Sequence, residues 1–303
     1  MSDAALTLAQ KKPRIFESGI RKVLFACAFL SILTTITIVV SLVWESAPFF
    51  FEVSPVDFLL GTTWHPLIVP REYGVLPLVV GTLQIVVGSA LVAIPIGVCC
   101  AIYLSEYATP RTRNIVKPVL EVLAGIPTIV YGYFALTAIT PALKSIYSGT
   151  ETYNAASASI VVGIMILPMI ASLCDDALRA VPDSLRQGAM ALGATRFEAV
   201  TRVIFPAALS GITASFVLAF SRAVGETMAV SIAAGATPSM SFLPTESIQT
   251  MTAFIVQVSM GDTPRGTPEY HAIFAVGMLL FLITLGINLI AHRFLKKFQE
   301  VYE

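Results

Sequence analysis

Six stretches of this chain run for about 20 residues each without an aspartate, glutamate, lysine or arginine, the length a helix needs to cross a bilayer's hydrocarbon. They cover residues 23–44, 73–105, 122–143, 152–174, 203–221 (continuing past one charged pair) and 270–292. Lipid offers no hydrogen bonds, so a chain within it must satisfy its backbone internally, as helices or a closed barrel. Runs of this length predict helices. Composition agrees: 13% of residues are charged, where soluble domains carry roughly 25%, and mean hydropathy is +0.80. The expected fold class is all-α, a polytopic membrane protein with six transmembrane helices. Pro77, Pro95, Pro127 and Pro168 fall inside spans, which neighbouring helices make tolerable by re-satisfying freed carbonyls.

The first run follows Lys11, Lys12, Arg14, Arg21 and Lys22, as a signal peptide would. It is longer than the ~7–15 apolar residues of a signal sequence. Glu45 also stands where a cleavage site needs a small residue. A retained span is expected. With the amino terminus inside, the basic residues of the loops sort strongly. The inner side holds those five, then Arg111, Arg113, Lys117, Arg179, Arg186, Arg196, Arg202, Arg293, Lys296 and Lys297. The outer side holds Arg71, Lys144 and Arg265. The positive-inside rule therefore puts both termini in the cytoplasm. The expected layout is a cytoplasmic arm (1–22), a first span (23–45), an external segment (46–72), a core (73–294) with a cytoplasmic loop at 175–206, and a cytoplasmic tail (295–303). A second external connection, 234–269, is rich in proline and predicts a short helix near 247–258.

Several chemistries are excluded or given no support. Net charge is zero, so no basic surface points to nucleic acid. Cys27, Cys99, Cys100 and Cys174 lie in or beside apolar runs without metal-ligand spacing and read as small apolar filler. His65, His271 and His292 have no ligand-spaced partners, so neither metal nor cofactor is expected. None of the seven lysines follows a glycine, so the chain holds no phosphate-binding Gly-Lys-Ser/Thr loop and any ATP hydrolysis belongs to another subunit. Glu121, just after Lys117 and Pro118, is expected in the first turns of the third helix, where a carboxylate suits the positive end of the dipole. Asp175 and Asp176 are expected as solvated charges ending the fourth span.

Two stretches carry the functional signal. In the cytoplasmic loop, Pro182, Asp183 and Ser184 mark a helix start, Gly193 a break, and Thr195 the cap of a second helix. Leu185, Ala189 and Leu192 repeat at helical spacing and predict one apolar face. The result is a knob shaped to fit a groove in a partner. In the fifth span, Arg222 and Glu226 lie about 16 and 20 positions beyond Pro206, well inside the bilayer at 1.5 Å per residue. A charge at that depth costs on the order of 3 kcal/mol and usually faces a partner or a water-filled path. A spacing of four would put both on one helix face, together with Ser215 and Ala219. Two readings stand: a self-neutralising structural pair, or a substrate site. The order Arg-then-Glu is the weaker orientation for helix support, which favours the second.

The loop also resembles a known pattern. Permeases of ATP-binding-cassette (ABC) importers carry E-A-A-x3-G-x9-I-x-L-P, and this chain has Gln187, Gly188, Ala189, Gly193, Val203, Phe205 and Pro206 at the same spacing. Gln187, Gly188, Val203 and Phe205 depart from the pattern in residue type, and Gln187 removes the carboxylate. The stretches SRAVGETMAV (221–230), EVLAGIPTIVYGYFAL (121–136) and FLLGTTWHPLIVPREYGVLPLVVGTL (58–83) resemble phosphate-specific permeases of the PstC type. The sister permease PstA shares Gly-Glu-Thr but not the Met-Ala-Val that follows. The resemblance spans roughly 55–295. It implies a type I ABC importer permease fold in a bacterial inner membrane, with a PstA-like second permease, two ATP-binding subunits and an external phosphate-binding protein. Residues 183–206 would couple the ATPases to the helices, and Arg222, Glu226 and Ser215 would line the substrate path. Related importers of molybdate, tungstate or sulfate remain the alternative.

Overall fold

In a computed structural model the chain is described over residues 15–298, with side chains over 17–293. Lys11, Lys12 and Arg14 of the expected arm, the end of the expected tail, and the side chains of Lys296 and Lys297 lie outside these residues. Five described helices are long and apolar enough to cross a membrane, and a bent pair makes a sixth span.

The first span, Ile15–Ser46, has none of its most apolar stretch buried. It meets the sixth span, Pro268–Phe298, near its end, where His271 Nδ1 donates to the Glu45 carbonyl at 2.9 Å. The second span, Leu76–Ile102, runs into a wider π-helical turn, Tyr103–Tyr107. The fourth span, Ala155–Arg179, starts where Asn154 accepts the Ser157 N–H at 2.7 Å. It is the hub, with 67% of its most apolar stretch buried against 11% for the sixth. Small residues let it approach the second span closely: a Cβ on Gly163 would sit 2.9 Å from Val92 Cβ.

The third span differs from expectation. Residues 110–146 form two helices, Pro110–Ala124 and then Thr128–Phe134, the latter continuing through a π-helical turn to Ile146. Pro127 lacks an N–H and disfavours helical geometry at Ile126, so the chain breaks there rather than entering the membrane at 122. Glu121 therefore occupies the last turns of the preceding helix, exposed, and not the dipole-favoured start of a span. The fifth span is carried by Leu209–Val224, which meets the preceding Arg196–Ala207, shared with the 183–206 hairpin, at a bend of 69°. The apolar helix ends at Val224, short of Glu226, and a separate short helix follows at Met228–Ala233.

At one end of the bundle, segment 46–75 builds a small aromatic core. Short helices Phe49–Glu52 and Pro55–Leu60 and a hairpin pairing Trp64–His65 with Glu72–Tyr73 bury Phe49, Phe58 and Trp64 against the second and sixth spans. Trp64 meets Phe254 edge-to-face at 4.8 Å. Phe254 belongs to helix Met251–Ser259, capped by Thr250, where a short helix was expected. The opposite end carries the 183–206 hairpin.

Candidate functional site

The fifth-span break has identifiable local causes. Gly225 follows the last helical residue, and the Glu226 N–H turns back to the Ala223 carbonyl at 3.2 Å. Glu226 Oε1 then accepts the Ala229 N–H at 3.1 Å, satisfying a free donor at the start of the next short helix. The Glu226 carbonyl accepts from Thr252 Oγ1 at 2.8 Å, tying the break to the 250–252 turn.

Arg222 and Glu226 are thus not stacked on one helix. Arg222 sits exposed in the last turn of Leu209–Val224, and Glu226 is 8% exposed beyond the break. Among the described residues no carboxylate lies within ion-pair distance of Arg222. The self-neutralising pair expected from their spacing is absent, because helix geometry stops at residue 224. What holds the cation instead is position: carbonyls at a helix C-terminus favour positive charge. Ser215 does not join the guanidinium. Its hydroxyl is 1% exposed, donates to the Ile212 carbonyl at 2.7 Å and lies 3.0 Å from Cys174 Sγ in the contact with the fourth span.

The third-span break lies against this one. Tyr131 donates to the Leu123 carbonyl at 2.9 Å, bridging the interruption at 125–127. Gly132 abuts the short helix: a Cβ there would lie 2.9 Å from Ile232 Cβ and 3.1 Å from Ala229 Cα. Two interrupted helices therefore meet beside an unpaired cation whose guanidinium offers five N–H donors. Irregular backbone at membrane depth is tolerated where protein or a water-filled cavity surrounds it.

The hairpin at the other end folds much as its residues dictate. Helix Asp183–Ala191 ends before Gly193, whose φ of +86° reverses the chain in a conformation that suits glycine. Thr195 caps the next helix reciprocally with Glu198. Asp183 does not cap; its carboxylate accepts from Arg186 at 2.9 Å. Ala189 faces inward and Phe205 packs against the main core, while Gln187, Gly188, Gly193 and Pro206 are exposed. Leu192 departs from the expected inward face, at 92% exposure, because the chain turns at Gly193. With Met190 and Phe197 it gives the hairpin an apolar tip.

Two charged groups hold roles that spacing did not reveal. Asp175 is fully buried rather than solvated, accepting from Arg113 Nη2 at 2.7 Å with Lys117 Nζ at 3.6 Å. Arg186 reaches across to Glu106 at 3.1 Å. Both partners lie far away in sequence, beyond the reach of helical periodicity.

The model of the binding-protein-dependent transport system inner membrane component family matches residues 93–299. The chain belongs to this family. Among its relatives, the probable ABC transporter permease protein YqgH of Bacillus subtilis is 34% identical, covering 87% of this chain and 86% of its own length. The phosphate transport system permease protein PstC of Haemophilus influenzae is 32% identical over 94% of each chain. Solved structures agree in fold: a bacterial ABC transporter importing the acidic polysaccharide alginate superposes with a TM-score of 0.61 at 15% identity, covering 95% of this chain and 100% of that one. An inward-facing form of the MetNI methionine ABC transporter gives 0.55 at 19% identity, covering 75% of this chain and 95% of that one. As a family member, the chain is an inner-membrane component of a binding-protein-dependent transport system.

Proposed function

We propose that this chain is the transmembrane permease subunit of an ATP-driven importer of inorganic phosphate. It would work with a PstA-like second permease, two ATP-binding subunits and an external phosphate-binding protein. Relatives named as phosphate permeases match 80–94% of its length. The observation that carries the reading within the site is Arg222, a cation at a break in an apolar span with no carboxylate partner. Its planar fork of donors suits the oxygens of a tetrahedral oxyanion. Glu226 Oε1 is engaged by the Ala229 N–H, leaving the other carboxylate oxygen for the hydroxyl of hydrogen phosphate. Sulfate, fully deprotonated, has no such proton and would face an unpaired carboxylate.

In this reading residues 183–206 lie in the cytoplasm and receive the ATPases through their apolar tip, with Gln187, Gly188, Ala189 and Gly193 shaping the contact and Phe205 and Pro206 joining it to the fifth span. Closure of the ATPases displaces this hairpin and rocks the helices between outward- and inward-open states. The test is uptake of radiolabelled phosphate by proteoliposomes holding the full complex, competed with sulfate and molybdate. ATP-dependent uptake resistant to both competitors is expected. Uptake abolished by molybdate or sulfate in equal amount would move the chain to a different oxyanion.

A further inference from the structure

We propose that Arg186 is a positioning residue that fixes the 183–206 hairpin to the end of the second span, so that displacement of the hairpin moves that span. The inference rests on the importer reading above. It goes beyond it by naming which helix outside the hairpin's own chain neighbours receives the motion.

By chain connection the hairpin leads from the fourth span and into the fifth; the second span ends 80 residues before Arg186. Arg186 closes that distance. Its Nε and Nη2 donate to Glu106 Oε1 at 3.2 and 3.1 Å, within the π-helical turn that ends the second span. Nη2 also donates to the Leu178 carbonyl at 2.6 Å, and Nη1 donates to the Val181 carbonyl at 2.7 Å and to Asp183 Oδ1 at 2.9 Å. All five N–H donors of the guanidinium are thereby used. They converge on three elements: the end of the second span, the last turn of the fourth, and the hairpin helix that carries Arg186 itself.

The contact is sheltered. The Arg186 side chain is 14% exposed and that of Glu106 is 9% exposed, so the pair is little screened by solvent. Glu106 is itself held, its Oε1 also accepting from Ser105 Oγ at 3.1 Å. A second link comes from the other half of the hairpin, where the Arg196 guanidinium lies over the Tyr107 ring at 5.7 Å. The terminal turn of the second span is therefore gripped through adjacent residues by both short helices of the hairpin. A π-helical turn, wider than the regular helix and frequent at functional sites, is the part of the span so held.

A planar guanidinium with five filled donors resists displacement in several directions at once, which a single-point contact does not. Deeper in the bundle the second span packs along the fourth with Gly163 and Gly97 at the contact, so the two travel as a unit. A push on the hairpin is thus delivered to the second span directly at its end and sideways through the fourth.

The experiment compares substrate transported per ATP hydrolysed in proteoliposomes of the complete complex, using wild type, Arg186→Ala, Arg186→Lys and Glu106→Gln. Phosphate is the probe; if the wild-type complex carries another oxyanion, that anion is used, and the proposed substrate fails without touching this test. The expected result is that Arg186→Ala and Glu106→Gln still hydrolyse ATP while transport per ATP falls about fivefold or more, the size of a typical coupling effect. Arg186→Lys, which keeps the charge but not the fork, is expected between them and wild type. An unchanged ratio in the assembled variants overturns the proposal. So does a parallel fall of hydrolysis and uptake at constant ratio, and so does failure of even Glu106→Gln to assemble, since both would assign the contact to folding alone.

Discussion

At the scale of single residues, the cost of Arg222 is the central fact. A cation in an apolar span is unfavourable by about 3 kcal/mol near the bilayer centre, and here no carboxylate of the described residues offsets it. The helix C-terminus recovers part of that cost, on the order of 0.3–1 kcal/mol. Glu226 plays a different part, because its Oε1 organises the start of Met228–Ala233. Glu226→Gln keeps an oxygen for the Ala229 N–H and removes the charge, so the break should persist. The expected outcome is weaker discrimination against sulfate with a smaller loss of phosphate uptake, read from competition curves in proteoliposomes. Equal loss of both would give Glu226 a structural role only. That the two residues carry unusual charge was legible in the sequence; their relation was not. Spacing predicts a shared face only while the helix continues, and Gly225 ends it. Asp175 shows the same limit, since its partner Arg113 comes from another helix 62 residues away.

At the scale of elements, the hairpin was the most legible part. Glycine and threonine act locally, so Gly193 reverses the chain and Thr195 caps the helix with no help from tertiary context. The turn at Gly193 has open space around it, and its constraint is backbone angle alone. Gly193→Leu therefore forces a side chain into left-handed geometry at a cost of about 1–2 kcal/mol. The protein should still reach the membrane, with the hairpin tip misdirected. Co-purification with the ATP-binding subunit should fall clearly below wild type, and undiminished co-purification with normal uptake would exclude this tip as the docking element. The interrupted spans were harder to read. Pro127 and Gly225 are visible in the sequence, but apolar composition runs through both breaks, and hydropathy registers lipid compatibility rather than helix continuity.

At the scale of the whole molecule, six apolar runs became five helices and a bent pair. The total survived because crossing a bilayer requires length and apolarity, both of which composition records. What composition does not record is which helix forms the hub. That follows from small residues such as Gly163 that permit close approach. Orientation is proposed from the distribution of lysine and arginine. A cysteine at Thr195 should be labelled by an impermeant reagent only from the cytoplasmic side, and one at Ser148 only from outside; both positions are exposed. Labelling of both from one side would contradict the six-span arrangement.

The most direct test of the central claim, that an unpaired Arg222 at a broken span handles the oxyanion, is phosphate uptake by complexes carrying Arg222→Ala or Arg222→Lys. Assembly is to be matched to wild type by co-purification of all subunits. Arg222→Ala should assemble and transport at background level, and Arg222→Lys should restore only a small part, because an ammonium lacks the planar fork. Normal transport by Arg222→Ala, or loss of transport only because the complex fails to assemble, would contradict the account and place the substrate path elsewhere.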